Sequence, residues 1–311
     1  MNTTFFKYAI EVEHTRSITQ AAQNLFMAQP NLSKAIKEME ELLGFRIFKR
    51  TSKGVIPTPK GNEFLAYARN IMAQLNKIEL LSKPQEDNIQ AFNISVPRGS
   101  YISHAFIRFM NQLDRNKGIE INLQETNAMT TILNIAAGKF DLGIIRCQKR
   151  YERYFLDFLR EKQIRYELIW EFEQSVIFST QSELAQQEQL HHSQLKNFTE
   201  IVHGDEVIPY LADKVETRSG AEKNGMKKIY LCERWNQFEL LSQIPDTYMW
   251  ASPIPPEYLS RYGLLQRKCS IPDNQYQDIL IYENGYATRE LDQLFLSELY
   301  QVKKELLKNF I

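Results

Sequence analysis

The segment from Ser17 to Gly61 constrains this chain most, because it predicts two short helices joined by a tight turn and followed by a basic hairpin. Ser17 and Gln20 have the spacing of a capping box, which predicts a helix start. Pro30 suits the first position of the next helix, where its missing N–H is not needed. Gly44 suits the residue that follows a helix end. The segment therefore predicts a helix-turn-helix.

The second helix of the pair, Pro30 to Leu43, is amphipathic. Leu32, Ile36, Met39 and Leu43 recur at helical spacing, which predicts one buried stripe. Upstream, apolar residues at the same spacing predict a first helix that covers the pair, namely Phe5, Ala9 and Val12. Three short helices around one small core form the frame of a helix-turn-helix domain.

The polar face of this helix points to DNA. Asn and Lys can donate hydrogen bonds to acceptors on base edges, and a small Ser permits close approach to the duplex. The predicted DNA contacts are Ser17, Gln29, Asn31, Ser33, Lys34 and Lys37 in the helices, and Arg50 and Lys53 in the hairpin. The alternative is that a Lys-rich polar face is only solvated.

The charge distribution favours DNA contact. The segment Arg46–Lys60 reads as a β-ribbon wing with a basic turn at 52–54, which could reach phosphates or a minor groove. Through Lys60 the chain has nine basic residues against five acidic ones, although the whole chain sums to zero charge. Such asymmetry is typical of a polyanion-binding domain joined to another domain.

A long helix follows, with Thr58 as its cap and Pro59 as its first residue. Apolar residues repeat along it at coiled-coil spacing and predict a dimerisation seam, namely Phe64, Ala68, Ile71, Leu75 and Ile78. The alternative is a stripe packed on its own domain. A two-fold dimer would present two recognition helices to an interrupted palindrome.

The N-terminal sequence AAQNLFMAQPNLSKAIKEMEELLGFRIFKRTSKGVIPTPKG resembles that of the LysR-type transcriptional regulators. The alanine pair, the Gln-Pro helix start, the Phe-Lys-Arg and the closing Thr-Pro-Lys-Gly keep their relative spacing. Ala28 stands where these regulators usually have a Ser or Thr cap. The resemblance implies a DNA-binding homodimer that commonly forms a tetramer.

Beyond the polar stretch Ser82–Gln90, strands and helices are predicted to alternate, which indicates parallel strands with helices on both faces. The expected domains are a winged helix-turn-helix at 1–60, a dimerisation helix and hinge at 61–90, and a regulatory domain at 91–311. The expected fold class is α/β with an N-terminal all-α winged helix-turn-helix.

Polar residues follow the ends of several predicted strands, where ligands bind in open α/β sheets. The candidate effector residues are Ser100, Tyr101, Ser103, Thr126, Asn127, Met129, Arg146, His203 and Gly204. For each residue taken alone, an ordinary cap or loop position is the favoured interpretation, and the set is more persuasive than any single member. Arg146 suggests a carboxylate or other anion as ligand, and a structural salt bridge is the equal alternative.

The C-terminal sequence also resembles that family, through ISVPRGSY and QETNAMTTILNIAAGKFDLGIIR. The resemblance implies a two-lobed α/β domain like a periplasmic binding protein, with a small-molecule effector in the cleft. The run Gln181 to Ala185 departs from the Asp-His-Pro-Leu-Ala form that is usual in the family.

Several other functions are disfavoured by the sequence. Cys147, Cys232 and Cys269 are scattered and lack metal spacing, so reduced thiols are expected, and no metal or cofactor is predicted. The chain has no glycine-rich phosphate loop and no nucleophile elbow, so no enzyme activity is expected. No apolar run approaches the roughly 18 residues of a membrane span and no signal peptide is evident, so a cytoplasmic protein is expected.

The sequence therefore predicts a transcriptional regulator that binds double-stranded DNA and responds to a small-molecule effector. The first alternative is a DNA binder without a ligand, whose C-terminal domain serves assembly or contacts with RNA polymerase. A second alternative is an enzyme or solute-binding protein with an accidental helix-turn-helix.

Overall fold

A computed structural model of the protein describes residues 2–52, 54–82, 89–203, 227–231 and 236–309. By its internal contacts the chain divides into two units. The N-terminal unit comprises Met1–Asp87 with Ala136–Lys139, and the C-terminal unit comprises Asn88–Ile135 with Phe140–Ile311.

The N-terminal unit contains the predicted helices and hairpin. Its described elements are α1 (Thr3–Thr15), α2 (Ile18–Asn24), α3 (Gln29–Leu43), β1 (Phe48–Thr51), β2 (Gly54–Pro57) and α4 (Pro59–Ser82). The side chain of Ser17 accepts a hydrogen bond from the N–H of Gln20 at 3.3 Å, as predicted for a helix cap. The Gln20 side chain donates to Asn24 instead of returning to Ser17, so the capping box is only half formed. Gly44 ends α3 in the left-handed conformation, with φ 73°.

The core of this unit lies where α1, α2, α3 and α4 meet. The predicted stripe of α3 is buried at Leu32, Ile36 and Met39. Ala21 and Ala22 of α2 are almost fully buried, and their small side chains let the neighbouring helices approach closely. Ile47, Phe48 and Val55 bring the hairpin into the same core, together with Phe6, Ala9, Val12, Phe64, Leu65 and Ala68 from α1 and α4.

The C-terminal unit has two lobes, each built on a five-stranded sheet. The first sheet has the order β4-β3-β5-β14-β6. Its strands are β3 (Ile89–Val96), β4 (Gly118–Glu125), β5 (Leu142–Gln148), β6 (Ile164–Glu173) and β14 (Gln275–Glu283), and its helices are α5 (Ser100–Asn111), α6 (Ala128–Ala136), α7 (Glu152–Glu161) and α10 (Glu290–Asn309).

The second sheet has the order β10-β9-β11-β7-β12. Its strands are β7 (Ser175–Ser179), β9 (Thr199–His203), β10 (Lys227–Leu231), β11 (Thr247–Ala251) and β12 (Leu264–Arg267), with helices α8 (Gln237–Gln243) and α9 (Pro256–Tyr262). Two short strands, β8 (Leu190–His191) and β13 (Cys269–Ser270), pair in parallel beside it.

The sheets are mixed, although the alternation of elements predicted parallel strands. β3 is parallel to β4 and β5, but β14 runs antiparallel to both β5 and β6. β7 is likewise antiparallel to β11 and β12. Only Gln174 separates β6 from β7, so the chain enters the second lobe without a crossover helix. β14 brings the chain back from the second lobe and inserts between β5 and β6, which explains its opposite direction.

Helices cover both faces of the first sheet, as predicted. On one face the rings of Phe92 in β3, Phe109 in α5 and Phe295 in α10 lie within 6 Å of one another. On the other face the hydroxyl of Ser95 contacts that of Thr131 in α6 at 3.0 Å. Strand β3 is therefore packed between α5 and α10 on one face and α6 on the other.

Candidate functional site

The residues predicted to contact DNA lie on the surface of the N-terminal unit. Asn31, Lys34 and Lys37 are exposed, whereas Gln29 and Ser33 are partly buried. Each lysine side chain is 78% exposed and lies 3.6–3.8 Å from a glutamate one turn on, Glu38 or Glu41. Such exposed pairs are weak and can be exchanged for phosphates or base edges at little cost. Ser17 is a helix cap, so its hydroxyl has a structural role whether or not it meets DNA.

Helix α3 begins without a side-chain cap. Ala28 occupies the cap position, and only its carbonyl accepts hydrogen bonds, from the N–H groups of Asn31 and Leu32 at 3.0 and 3.2 Å. Pro30 follows, as the sequence predicted. The predicted contact residues therefore begin at the N-terminal end of α3, and the N-terminal residues of a recognition helix are those that contact base edges.

The hairpin β1–β2 is the predicted wing. β1 and β2 pair antiparallel, with Arg50 opposite Val55, and Arg50 is exposed on the strand. The carbonyl of Arg16 accepts a hydrogen bond from the N–H of Val55 at 2.8 Å. At Gly54, with φ 104°, a Cβ would lie 2.6 Å from that same carbonyl, so only glycine fits. Lys53 lies outside the described residues.

The carboxylate of Glu40 holds the other end of the wing. One of its oxygens accepts hydrogen bonds from the N–H groups of Ile47 at 2.8 Å and Phe48 at 3.0 Å. This α3 residue therefore fixes where the hairpin leaves the helix. The role of Glu40 was not predictable from the sequence, because nothing in its neighbourhood distinguishes it from Glu38 and Glu41 on the same helix.

Part of the predicted dimerisation seam is buried in the N-terminal unit itself. Phe64 is 9% exposed and Ala68 is 0% exposed, and the Phe64 ring lies 5.9 Å from that of Phe6. Phe64 and Ala68 therefore fit the alternative interpretation, in which the apolar stripe packs on its own domain. Ile71 and Ile78 are 41% and 60% exposed.

The exposed apolar stripe of α4 begins with a residue that the seam did not include. Tyr67 is 62% exposed and precedes Ile71 by one helical turn. Leu75, which is partly buried, continues the stripe towards Ile78. Tyr67 was not part of the predicted seam because the heptad spacing combined two apolar stripes of α4. One stripe, with Phe64 and Ala68, faces the core, and the other, with Tyr67 and Ile71, is exposed.

In the C-terminal unit, Arg146 was predicted to follow the end of a strand, but it lies inside β5 and takes part in a buried ion pair. Its Nε and Nη2 donate to the two carboxylate oxygens of Asp278 at 2.7 and 2.6 Å. The side chains of Arg146 and Asp278 are 10% and 0% exposed. The Tyr101 hydroxyl donates to the same carboxylate, and the Tyr101 ring packs edge-on against Trp170. Tyr101 is therefore a core residue that supports Asp278 rather than a surface that a ligand could touch.

Burial raises the pKa of the Tyr101 phenol well above its ordinary value, and the Asp278 charge adds to this effect. The phenol therefore stays protonated and keeps its hydrogen bond to the carboxylate. A bidentate guanidinium and a phenol donor together supply the partners that a buried carboxylate requires. This geometry matches the structural salt bridge that the sequence left open as the alternative to anion binding.

Arg146 and its neighbours also connect the two lobes. Its Nη1 donates to the carbonyl of Arg98 at 2.7 Å and to the hydroxyl of Ser252, in the second lobe, at 3.2 Å. Nη1 of Arg98 lies 2.8 Å from Nδ1 of His203 at the end of β9. Because a guanidinium has only donors, Nδ1 of His203 is the acceptor in this contact and carries no proton. These contacts place Arg146 and His203 where the two lobes touch.

The other predicted effector residues lie at helix starts. Ser100 is the first residue of α5, and Ser103, which is exposed, donates from its hydroxyl to the Gly99 carbonyl at 3.3 Å. Asn127 caps α6 by accepting from the N–H of Thr130 at 2.9 Å. Thr126 donates its N–H to the Val96 carbonyl, and Met129 is partly buried in the first turn of α6, while Gly204 lies outside the described residues. Ser100, Ser103, Thr126, Asn127 and Met129 therefore sit where caps and loops are expected.

The residues that pair with Arg146 and His203 were missed. Asp278 directly precedes the apolar run 279–282 in β14, and a charge inside a buried strand is the signal that could have found it. Ser252 and Arg98 follow strand ends without any such signal.

The cysteines do not form a reactive site among the described residues. Cys147 and Cys269 are buried free thiols, and burial raises the pKa of Cys147 to about 12. Such a thiol stays protonated and is a poor nucleophile. Cys232 lies outside the described residues. Across the described ranges, no group of three or more His, Cys, Asp and Glu side chains could hold a metal ion. No described helix is both long and apolar enough to span a membrane.

Residues 4–62 match the family model described as "Bacterial regulatory helix-turn-helix protein, lysR family". The chain is 30% identical over 158 residues to the uncharacterized HTH-type transcriptional regulator YcgK of Bacillus subtilis, a match that covers 49% of this chain and 48% of that protein. The chain thus spans about half the length of the curated relatives it matches.

Two solved structures share the fold over almost the whole chain. A full-length OxyR variant from Pseudomonas aeruginosa superposes with a TM-score of 0.60 at 14% identity, covering 96% of this chain and 94% of that one. Full-length CbnR complexed with its target DNA superposes with a TM-score of 0.58 at 13% identity, covering 97% of this chain and 100% of that one. The N-terminal unit therefore matches the helix-turn-helix of the lysR family of bacterial regulators, and the chain as a whole shares its fold with these two structures.

Proposed function

We propose that this protein is a dimeric, sequence-specific DNA-binding transcriptional regulator whose activity is modulated by a small molecule bound in its C-terminal unit. Helix α3 reads the major groove and the wing contacts the phosphate backbone. One observation carries this proposal: Asn31, Lys34 and Lys37 are exposed along the first nine residues of a helix whose opposite face is buried in an apolar core. The solved complex of CbnR with its target DNA supports the same use of this fold.

The DNA contacts are tested with duplexes selected from a random pool by the full-length chain. Lys34→Ala and Arg50→Ala should each weaken binding by about 1–3 kcal/mol for a base contact, or flatten the dependence of affinity on salt for a phosphate contact. Lys117→Ala, which removes an exposed lysine of the C-terminal unit, is the matched control. Unchanged binding by both variants would contradict the proposed interface.

The exposed stripe of α4 is the proposed dimer contact. Tyr67, Ile71 and Ile78 together present apolar surface that an isolated helix would leave in water. Ile71→Asp should dissociate the dimer in sedimentation experiments and weaken binding to two half-sites more than binding to one. Leu42→Asp, which changes another exposed apolar residue of this unit, should leave the dimer intact. A dimer unaffected by Ile71→Asp would exclude this surface.

The cleft between the lobes is the proposed effector site. Arg98, His203 and Ser252 converge there around Arg146 from both lobes, so a ligand in the cleft would change how the lobes meet. An effector can shift the arrangement of the dimer or tetramer only if it binds the two arrangements with unequal affinity. We therefore expect the ligand to displace at least one of these contacts between the lobes.

A regulator without a small-molecule ligand is the second candidate, and the state of Arg146 favours it. The guanidinium already binds Asp278 through two nitrogens and the Arg98 carbonyl and Ser252 through the third. An external carboxylate would have to replace a carboxylate that is already desolvated and bound in bidentate geometry. In this alternative the C-terminal unit serves assembly or contacts with RNA polymerase.

Thermal shift measurements distinguish the two candidates. The full-length chain is screened against separate panels of mono-, di- and tricarboxylates, phosphate esters and neutral sugars. A compound that raises Tm and moves the DNA footprint supports an effector, and Ser252→Ala should weaken its binding. Silence across all panels, in a protein that still binds DNA, favours the regulator without a ligand.

A further inference from the structure

The turn between α2 and α3 holds a large apolar side chain in water. Phe26 is 97% exposed, and its backbone has φ 52°. A bulky residue in the left-handed region is a conformational outlier, because its Cβ crowds the neighbouring carbonyl. Glycine or asparagine adopts this conformation at lower cost.

The backbone of the turn is held by hydrogen bonds and not by the Phe26 ring. The N–H of Phe26 donates to the Gln23 carbonyl at 3.1 Å, and the N–H of Met27 donates to the Ala22 carbonyl at 3.0 Å. Leu25 packs against the core of the unit, whereas the Phe26 ring remains in solvent. Leu25 and Phe26 are adjacent apolar residues in the sequence, and only Leu25 anchors the helix end.

For folding, phenylalanine at this position is therefore unfavourable in two ways. It strains the backbone, and it leaves an aromatic ring in water. Both costs are local, and nothing in the packing of the unit offsets them. A role outside the folded chain accounts for the residue.

The position of Phe26 indicates what the ring meets. It lies two residues before Ala28, the cap of α3, and the first residues of a recognition helix contact base edges while the preceding helix crosses the backbone. The turn that joins them thus lies at the edge of the groove. Gln23, Asn24 and Ala28 around it are exposed, so Phe26 is a single ring among polar and small groups. A protein interface would present a continuous apolar patch instead.

We infer that Phe26 is a DNA-contacting residue whose ring packs against apolar groups at the groove edge, either a thymine methyl or the deoxyribose. This inference rests on the proposed DNA-binding function and adds a contact that no hydrogen-bonding pattern would reveal. Apolar contact with the thymine methyl is an established means of base recognition. The residue would thus contribute to sequence preference next to the first base that α3 reads.

Phe26→Asn and Phe26→Gly test the inference, because both relieve the left-handed strain and remove the ring. We expect both variants to melt no lower than the wild type, and to bind the selected duplex about tenfold more weakly, the change that corresponds to losing most of a buried Phe side chain. Phe26→Tyr, which keeps the ring, should bind as the wild type does. Leu42→Ala is the control for an exposed apolar residue away from the turn.

Replacing thymines of the selected site by deoxyuridine, one at a time, distinguishes the two apolar groups. A methyl contact predicts one position at which the wild type loses affinity and Phe26→Asn does not, whereas a deoxyribose contact predicts equal behaviour at every position. Wild-type affinity in Phe26→Asn and Phe26→Gly would overturn the inference, and a change in oligomeric state alone would assign the ring to contacts between protein chains. Failure of the proposed function looks different, because then the wild type and Lys34→Ala would bind the duplex equally weakly.

Discussion

Lys34 and Lys37 of the N-terminal unit have side chains that are 78% exposed, whereas Arg146 and Asp278 of the C-terminal unit are 10% and 0% exposed and bind each other. Lys34 and Lys37 were predicted as DNA contacts because they lie on the polar face of a helix, and Arg146 was predicted as an effector residue because it follows a predicted strand. In the N-terminal unit the apolar core closes without them, so they remain available to a partner. In the C-terminal unit the polar residues satisfy one another. The exposure of a polar side chain, and not its residue type, therefore distinguishes a candidate binding residue from one that stabilises the fold.

The largest expected effect is on the buried pair. Asp278→Asn removes the charge that Arg146 requires and should lower the free energy of unfolding of the C-terminal unit by about 3–5 kcal/mol. All three tryptophans of the chain lie in this unit, so tryptophan fluorescence in urea follows its unfolding alone.

Asp273→Asn is the matched control, because Asp273 is 60% exposed and lies 3.1 Å from Arg150. Breaking such a surface pair should cost less than about 1 kcal/mol. Equal losses from the two variants would contradict the view that burial makes the Arg146 pair a structural support.

A smaller effect is expected at the junction of α3 and the wing. Glu40→Ala removes the acceptor of two backbone N–H groups and should destabilise the wing by about 1.5–3 kcal/mol. Hydrogen exchange of residues 45–60 measures the loss locally. DNA affinity should fall as well, because Arg50 then stands on a less ordered strand.

Glu41→Ala on the same helix is the control, since the Glu41 side chain is 65% exposed and only approaches Lys37. If Glu40 acts through the wing, the effects of Glu40→Ala and Arg50→Ala on DNA affinity will not add, as a double-mutant cycle would show. Strict additivity would mean that Glu40 does not position Arg50.

The sequence predicted most of the N-terminal unit, because its signals are local. The Ser17 cap, Pro30 at the start of α3 and Gly44 at its end each determine a boundary within a few residues of themselves. The apolar stripe of α3 then identifies the face that is left for DNA. The position of the Phe26 ring was not predictable, because Leu25 and Phe26 are both apolar and only the turn geometry separates them.

The C-terminal unit was predicted at the level of its elements but not of its site. Alternating strands and helices give the layers, but they do not reveal that β14 returns from the second lobe and lies antiparallel beside β5. This return brings Asp278 to Arg146 across 132 residues of sequence. A contact between residues so far apart in the sequence produces no periodic pattern. Binding of an external anion by Arg146 was therefore an equal interpretation.

The smallest expected effect is a pH dependence confined to the C-terminal unit. The ring of His104 in α5 lies edge-on 5.6 Å from that of Tyr258 in α9. Burial lowers the pKa of His104 below its ordinary value of 6.5, and the Arg108 charge lowers it further against the opposing charges of Glu257 and Glu305. The folded chain therefore binds this proton less readily than the unfolded chain does.

Stability should consequently be greatest above the unfolded pKa near 6.5 and should fall as the pH drops through that value towards the lower folded pKa. Urea titrations followed by tryptophan fluorescence at pH 7.5 and pH 5.5 measure this loss, and His104→Gln should reduce the difference. His192→Gln, at an exposed histidine, should leave the difference unchanged. His104 and Tyr258 contact each other across the two lobes. If the same pH dependence remains in His104→Gln, the group that titrates lies elsewhere in the unit. Protonation of His104 would then not affect the contact between the lobes.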